Sequence, residues 1–128
     1  MCSCAVRFAS VFLPEVAPPR NTIALYADDC KSSRITDSAS DQNLFQEDLN
    51  NFHQWSSRNF MDFNVKKCKI MRITKKKQPF TKFWSLDNSV LEEVSEFRDL
   101  GVTTDRQLNW NLHIDKVGAK ANRMLGLI

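Results

Sequence analysis

Residues 41–61 form the most constraining feature of the sequence, a long amphipathic helical pattern. Ser38 and Ser40 are candidate N-caps, and Asp41 suits the positive end of a helix. Because the apolar face of such a helix must be covered, the pattern predicts a helix packed on a sheet or on another helix. The buried side would carry Leu44, Phe45, Leu49, Phe52, Trp55 and Ser56, at spacings of three and four. The opposite side would carry Gln46, Asp48, Asn50, Asn51 and Gln54.

Strand patterns flank this helix on both sides. A short apolar run over residues 22–27 precedes polar residues 30–34, which predicts a strand, a tight turn and a second strand. Further strands are predicted in the second half of residues 63–74, over 80–86 and 90–91 around an Asp87-Asn88 turn, and over 100–103. Helical spacing resumes from Leu112. We therefore predict an α+β fold: a small antiparallel sheet, one long packed helix, a β-hairpin and a C-terminal helix.

The first twenty residues carry no clear pattern of either kind. Pro14, Pro18 and Pro19 exclude a helix across residues 15–20, and the apolar run over residues 8–13 is too short for a signal peptide. A disordered leader, a loop and an imperfect targeting segment all fit these residues. We leave residues 1–20 unassigned and begin the domain at residue 21.

Composition narrows the function classes. The 128 residues hold one domain or a piece of a larger one, with a mild net charge of +3. Glycine is scarce and neither GxGxxG nor GxxxxGK(S/T) occurs, which argues against a glycine-rich phosphate loop. No apolar run reaches the length of a membrane span. The scattered cysteines match no zinc-site spacing and favour a reducing, intracellular setting: Cys2, Cys4, Cys30 and Cys68.

Two adjacent carboxylates, Asp28 and Asp29, follow the first apolar run. Neighbouring anions repel each other, and a bound cation or a nearby basic side chain relieves that repulsion. One interpretation is a divalent-metal site for nucleotidyl transfer, in which Mg²⁺ steadies the attacking and leaving oxygens. The other is an ordinary acidic turn, since Asp is a preferred turn residue.

The segment from Phe63 to Leu86 contains no acidic residue. Basic side chains neutralise phosphates and aromatic rings stack on bases, so the segment is a candidate nucleic-acid surface. The alternative is a solvated hairpin whose lysines only protect an edge strand. Its basic residues are Lys66, Lys67, Lys69, Arg72, Lys75, Lys76, Lys77 and Lys82, and its aromatics include Phe80, Phe83 and Trp84.

Taken in order, these features resemble the second half of the palm and the start of the thumb in reverse transcriptases of non-LTR retrotransposons. Tyr26-Ala27-Asp28-Asp29 looks like their Tyr-x-Asp-Asp box. Leu49 and Trp55, followed by residues 63–71, are similar to the helix and strand after that box. Leu100-Gly101-Val102 looks like the primer grip, and residues 115–128 look like the first thumb helix. On this resemblance the palm spans residues 21–104 and the thumb begins at 105–128.

The resemblance implies a role for each matching residue. Asp28 and Asp29 would hold Mg²⁺, and Lys67 would lie near the incoming triphosphate. Tyr26 would sit under the primer terminus, and Leu100 and Gly101 would shape the primer grip. The remaining contacts to nucleic acid would come from Lys66, Lys69, Lys75, Lys76 and Lys77. The implied partners are an RNA template, a DNA primer and deoxynucleoside triphosphates.

The sequence also departs from the family. A further metal-binding Asp on an upstream strand and a Pro-Gln-Gly segment are not recognisable before residue 21. We therefore expect a retroelement fragment without polymerase activity by itself. The alternatives are a non-catalytic nucleic-acid-binding remnant and a fragment that self-associates through its uncovered surfaces.

Overall fold

The computed structural model describes residues 3–9, 21–26, 29–61, 63–75, 77 and 81–127, with only the backbone of residues 3–9, Leu25 and Asp29. The described chain has an α+β fold with two helices, which confirms the predicted fold class. Its elements are β1 (Ser3–Ala9), β2 (Asn21–Tyr26), β3 (Asp29–Ile35), α1 (Ala39–Arg58), β4 (Lys69–Ile73), β5 (Ser85–Leu86), β6 (Ser89–Val90), β7 (Glu92–Glu93), β8 (Glu96–Asp99), β9 (Val102–Asp105) and α2 (Asn111–Leu125).

The main sheet has five strands in the order β2-β3-β1-β4-β7. β2 and β3 form an antiparallel pair, β1 runs antiparallel to both β3 and β4, and β7 adds in parallel to β4. Two smaller antiparallel pairs, β5-β6 and β8-β9, complete the described strands. The sheet therefore ends in β2 on one side and β7 on the other.

β1 lies in the centre of this sheet, within the leader that the sequence analysis left unassigned. β1 is the first strand of the main sheet along the chain, so the sheet includes residues before the predicted domain start at residue 21. A seven-residue strand gives a weak signal in a single sequence, and this one is defined by partners about 25 and 65 residues away. Residues 10–20, including the three prolines, lie outside the described part of the chain.

Helix α1 confirms the predicted helix, beginning two residues earlier and ending three residues earlier than the pattern indicates. Ser38 is the N-cap of a capping box. Its hydroxyl accepts from the Asp41 N–H at 3.1 Å, and the Asp41 carboxylate accepts from the Ser38 N–H at 3.0 Å. The hydrogen bonds from Ser38 lower the pKa of the Asp41 carboxyl.

The hydrophobic core lies between α1 and one face of the sheet. Phe45, a fully buried residue of α1, meets the edge of the Trp84 ring with a centroid separation of 5.7 Å. The whole buried cluster comprises Cys30, Phe45, Leu49, Phe52, Cys68, Ile70, Trp84, Leu86 and Leu91. The helix thus covers one face of the sheet.

The helix also buries Asp48, which the sequence pattern placed on its polar side. That assignment was wrong, because Arg34 of β3 reaches Asp48 with an Nη1 to Oδ2 distance of 2.6 Å. Both side chains are about one-twentieth exposed. A charge is buried in a protein interior when a partner compensates it, and here that partner comes from a strand fourteen residues earlier.

The two hairpins differ from the predicted strands in length. The Asp87-Asn88 turn is confirmed, with φ of 50° and 56°, but its strands are two residues long and residues 81–84 are not in a strand. Leu100 and Gly101, predicted as strand, form the turn between β8 and β9, with φ of 48° and 86°. A two-residue hairpin turn of type I′ has positive φ at both positions, and Gly101 supplies one of them without strain.

Helix α2 confirms the predicted C-terminal helix and rests on β9. The Thr103 N–H donates to His113 Nδ1 at 3.4 Å, and Lys116 lies 4.0 Å from a carboxylate oxygen of Glu96.

Neither helix in the described residues is long and apolar enough to span a membrane.

Cys30 and Cys68 are buried free thiols, and burial raises the pKa of each to about 11. At pH 8 only about one such thiol in a thousand is ionised, so we expect neither to react with iodoacetamide in the folded protein. Both should be alkylated within minutes in urea, as peptide mapping by mass spectrometry would show. Rapid native labelling of either residue would contradict the described core.

Candidate functional site

The strand pair predicted around the two acids is confirmed. β2 ends at Tyr26 and β3 begins at Asp29, and these two residues are ladder partners. Ala27 and Asp28 lie outside the described residues, and Asp29 is described by its backbone only. The structure thus places Asp29 at a strand end, next to Tyr26, whose side chain is 63% exposed.

The two faces of β3 differ in what covers them. Cys30, Ser32 and Arg34 alternate along the strand and are buried on the side of α1. Lys31 lies on the opposite face and is the ladder partner of Ala24 in β2. Since Ala24 and Tyr26 are two residues apart, Tyr26 and Lys31 share this open face.

The β8-β9 turn is attached to this open face by an ion pair. Lys31 Nζ lies 3.2 Å from an oxygen of Asp99, the last residue of β8, and both side chains are partly exposed. Asp99 directly precedes the turn formed by Leu100 and Gly101, and Leu100 is 60% exposed. Lys31 is about 7 Å along the strand from Asp29, so the ion pair links the predicted primer-grip turn to the strand that begins in the acidic box.

Three of the predicted lysines lie at the same end of the sheet. Lys31 and Lys69 are both ladder partners of Arg7 in β1, so their backbones are about 10 Å apart across one strand. Lys66 and Lys67 precede Lys69 in a single 3-10 turn and are exposed. Lys69 is partly buried and forms an ion pair with Glu92. Among the predicted lysines described at this end, the exposed ones are therefore Lys66 and Lys67.

The other predicted lysines lie at the opposite end. β4 runs from Lys69 to Ile73, which is already about 13 Å away, and exposed Lys75 and Lys77 follow beyond it. Lys76 lies outside the described residues. The basic segment is therefore divided between the two ends of the sheet and does not form one continuous surface.

Two residues of the basic segment belong to the core. Trp84 is 2% exposed and Arg72 is 5% exposed, with the guanidinium carbon of Arg72 5.1 Å from the centre of the Trp84 ring. Arg72 also donates to the backbone oxygen of Lys82 at 2.9 Å and to Glu93 at 3.2 Å. Neither is available for bases or phosphates, because both side chains are buried. Phe83 remains 75% exposed, and Phe80 lies outside the described residues.

Magnesium prefers carboxylate oxygens, and one or two carboxylates with substrate phosphates can hold it. Asp28 and Asp29 fit that chemistry as a donor pair. In the described residues, no group of three or more His, Cys, Asp or Glu side chains is placed to hold a metal. Ala9 of β1 is the ladder partner of Asp29, and β1 contains no acidic residue, so this neighbouring strand adds no third carboxylate.

Lys31 and Asp99 are site residues that the sequence analysis missed. Lys31 follows Asp29 by two positions, so strand alternation alone indicates that both belong to one face. Asp99 is 68 residues further along the chain, and nothing in the local sequence indicates that it contacts β3.

No protein-family model matches the sequence, and comparisons with curated proteins and with solved structures found no match either. The fold and the site define an α+β domain whose sheet is covered by α1 on one face; the opposite face is open along β2 and beside Lys31, and is covered at Met71 of β4, which is 5% exposed.

Proposed function

We propose that this chain is part of a reverse transcriptase palm, and that its open sheet face receives the end of a nucleic-acid primer. The Lys31–Asp99 ion pair is the observation that carries the proposal, because it attaches the Leu100-Gly101 turn beside the strand that begins at Asp29. The resemblance in sequence assigns these two segments to one site. The ion pair supports that assignment, because it links a residue next to each segment although the two segments are about seventy residues apart.

The proposed roles follow from position and chemistry. Exposed Tyr26 and Leu100 would support the terminal nucleotide of the primer. The ammonium groups of Lys66 and Lys67 would neutralise phosphates at the same end of the sheet. Asp28 and Asp29 would hold Mg²⁺, which steadies the attacking and leaving oxygens of phosphoryl transfer when it is bound.

We further propose that this chain does not polymerise by itself. Two carboxylates without a third hold a metal weakly, and β1 offers alanine where it lies beside Asp29. Primer extension with the purified chain, in Mg²⁺ or Mn²⁺, should therefore yield no incorporation of deoxynucleotides. Incorporation that disappears in the Asp28→Asn variant would overturn this part of the proposal.

The second candidate function is nucleic-acid binding without any catalytic role for the acids. The absence of an acidic residue in β1 favours it. The two candidates differ in their response to metal: a palm should bind a primer–template hybrid more tightly with Mg²⁺, and Asp28→Asn with Asp29→Asn should remove that gain. A binding remnant should lose affinity on addition of Mg²⁺, because the cation competes for phosphates.

Reversing the charges of Lys66 and Lys67 tests whether the nucleic-acid interface lies at their end of the sheet. The double variant Lys66→Glu, Lys67→Glu should weaken binding to an RNA–DNA hybrid about tenfold or more. It should also reduce the slope of log affinity against log salt by about two, since two phosphate contacts are lost. Fluorescence anisotropy with a labelled hybrid at several salt concentrations measures both quantities.

The matched control is Lys75→Glu, Lys77→Glu, which makes the same charge change at the far end of the sheet. We expect a smaller loss of affinity for this variant at equal salt. Equal losses for the two pairs would show that only net charge matters, and would overturn the placement of the interface beside the acidic box.

A further inference from the structure

Strand β2 is an open edge of the main sheet. The sheet order places it last, and within the described residues it pairs only with β3. It is six residues long, Asn21–Tyr26, and leaves one side of its backbone without a ladder partner there. Such an edge presents unpaired N–H and C=O groups that another strand can join.

The two edges of the sheet differ in how they are protected. β7, at the opposite edge, has only two residues, and both are glutamates. β2 has no charged residue and no proline, whereas each other described strand of more than two residues carries at least one charge. Native proteins usually block edge pairing by short strands and charges; β7 has both features, and β2 has neither.

We infer that β2 is a dimerisation edge, at which the β2 strand of a second copy of this chain adds in antiparallel orientation. When an uncharged strand pairs with the same strand of a second copy, no like charges lie opposite each other, which favours self-pairing. The arrangement has a two-fold axis and closes at two copies through β2, because the other described edge of each main sheet is the glutamate-bearing β7 strand. A six-residue edge is a small interface, so the dimer forms weakly and depends on concentration.

The faces of β2 limit the register of this pairing. Ile23 packs against the core on the side of α1, whereas Thr22 and Ala24 are exposed on the other face. Opposite residues of an antiparallel pair share a face, so a continuous sheet that pairs five of the six residues needs Ile23 opposite Ile23, or Ala24 opposite Ala24. A shift by one residue would place the core side of one copy against the open side of the other.

Sedimentation analysis across a concentration series tests the inference. The wild-type chain, 14.8 kDa as a monomer, should show a concentration-dependent dimer. The double variant Thr22→Lys, Ala24→Lys places like charges across the two-fold axis in both allowed registers and should raise the dissociation constant at least tenfold. The control Ser33→Lys adds a lysine to β3 opposite Thr22, one strand inside the edge, and should leave the constant unchanged.

A charge-complement experiment shows that the variants still fold. The variant Thr22→Glu, Ala24→Glu should also be monomeric, and mixing it with the lysine variant should restore a heterodimer. A wild-type chain that stays monomeric at the highest concentrations would overturn the inference. So would a dimer that the lysine pair leaves intact, since that result would locate self-association elsewhere, for example on the exposed apolar residues of α2.

Discussion

Replacing Asp48 with alanine should lower the free energy of unfolding by about 3–5 kcal/mol, because it leaves the Arg34 guanidinium buried without a partner. The two side chains are 5% and 4% exposed and lie 2.6 Å apart, so water cannot replace the lost carboxylate without opening the contact between α1 and β3. Chemical denaturation followed by circular dichroism measures the change.

Two further variants distinguish the effect of breaking the Arg34–Asp48 ion pair from the effect of removing one negative charge from α1. Glu47→Ala removes an exposed carboxylate from the same helix and should change stability by less than about 0.5 kcal/mol. Replacing both partners, with Arg34→Met and Asp48→Leu, should recover much of the loss, since no charge is then buried alone. A loss under 1 kcal/mol for Asp48→Ala would contradict the buried ion pair.

Replacing Phe45 with alanine should also cost about 3–5 kcal/mol, through lost burial and the cavity that remains. Phe45 is fully buried and contacts the Trp84 ring edge-on, with an interplanar angle of 82°. Thermal or urea unfolding would quantify the loss, with Phe60→Ala as the control. Phe60 is 95% exposed, so the same truncation there should have little effect.

The stability variants and the charge reversals probe different faces of the protein. Asp48 and Phe45 lie between α1 and the sheet, whereas Lys66 and Lys67 are exposed at one end. We therefore expect Lys66→Glu, Lys67→Glu to weaken hybrid binding without changing the midpoint of unfolding. A large fall in the midpoint for this variant would mean that the lost binding reflects unfolding and carries no information about the interface.

Local patterns in the sequence were sufficient for the elements with strong periodicity or turn chemistry. The helix around Phe45, the strands on either side of the acids and the Asp87-Asn88 turn were all predicted, because their signals lie within a few residues of each other. β1 was missed, since seven residues without turn signals are ambiguous until the strands that flank it are known.

The sequence by itself determined the α+β class, the long helix and the strands on either side of the acids, and it marked Tyr26 to Asp29 and the lysines as candidate chemistry. Only the tertiary structure decided which of those residues meet. It joined Lys31 to Asp99, buried Arg72 and Trp84, and separated Lys66 from Lys75 by the length of β4. The reason is physical: helix and turn preferences act over a few residues, whereas ion pairs, burial and strand order depend on packing between segments far apart in the chain.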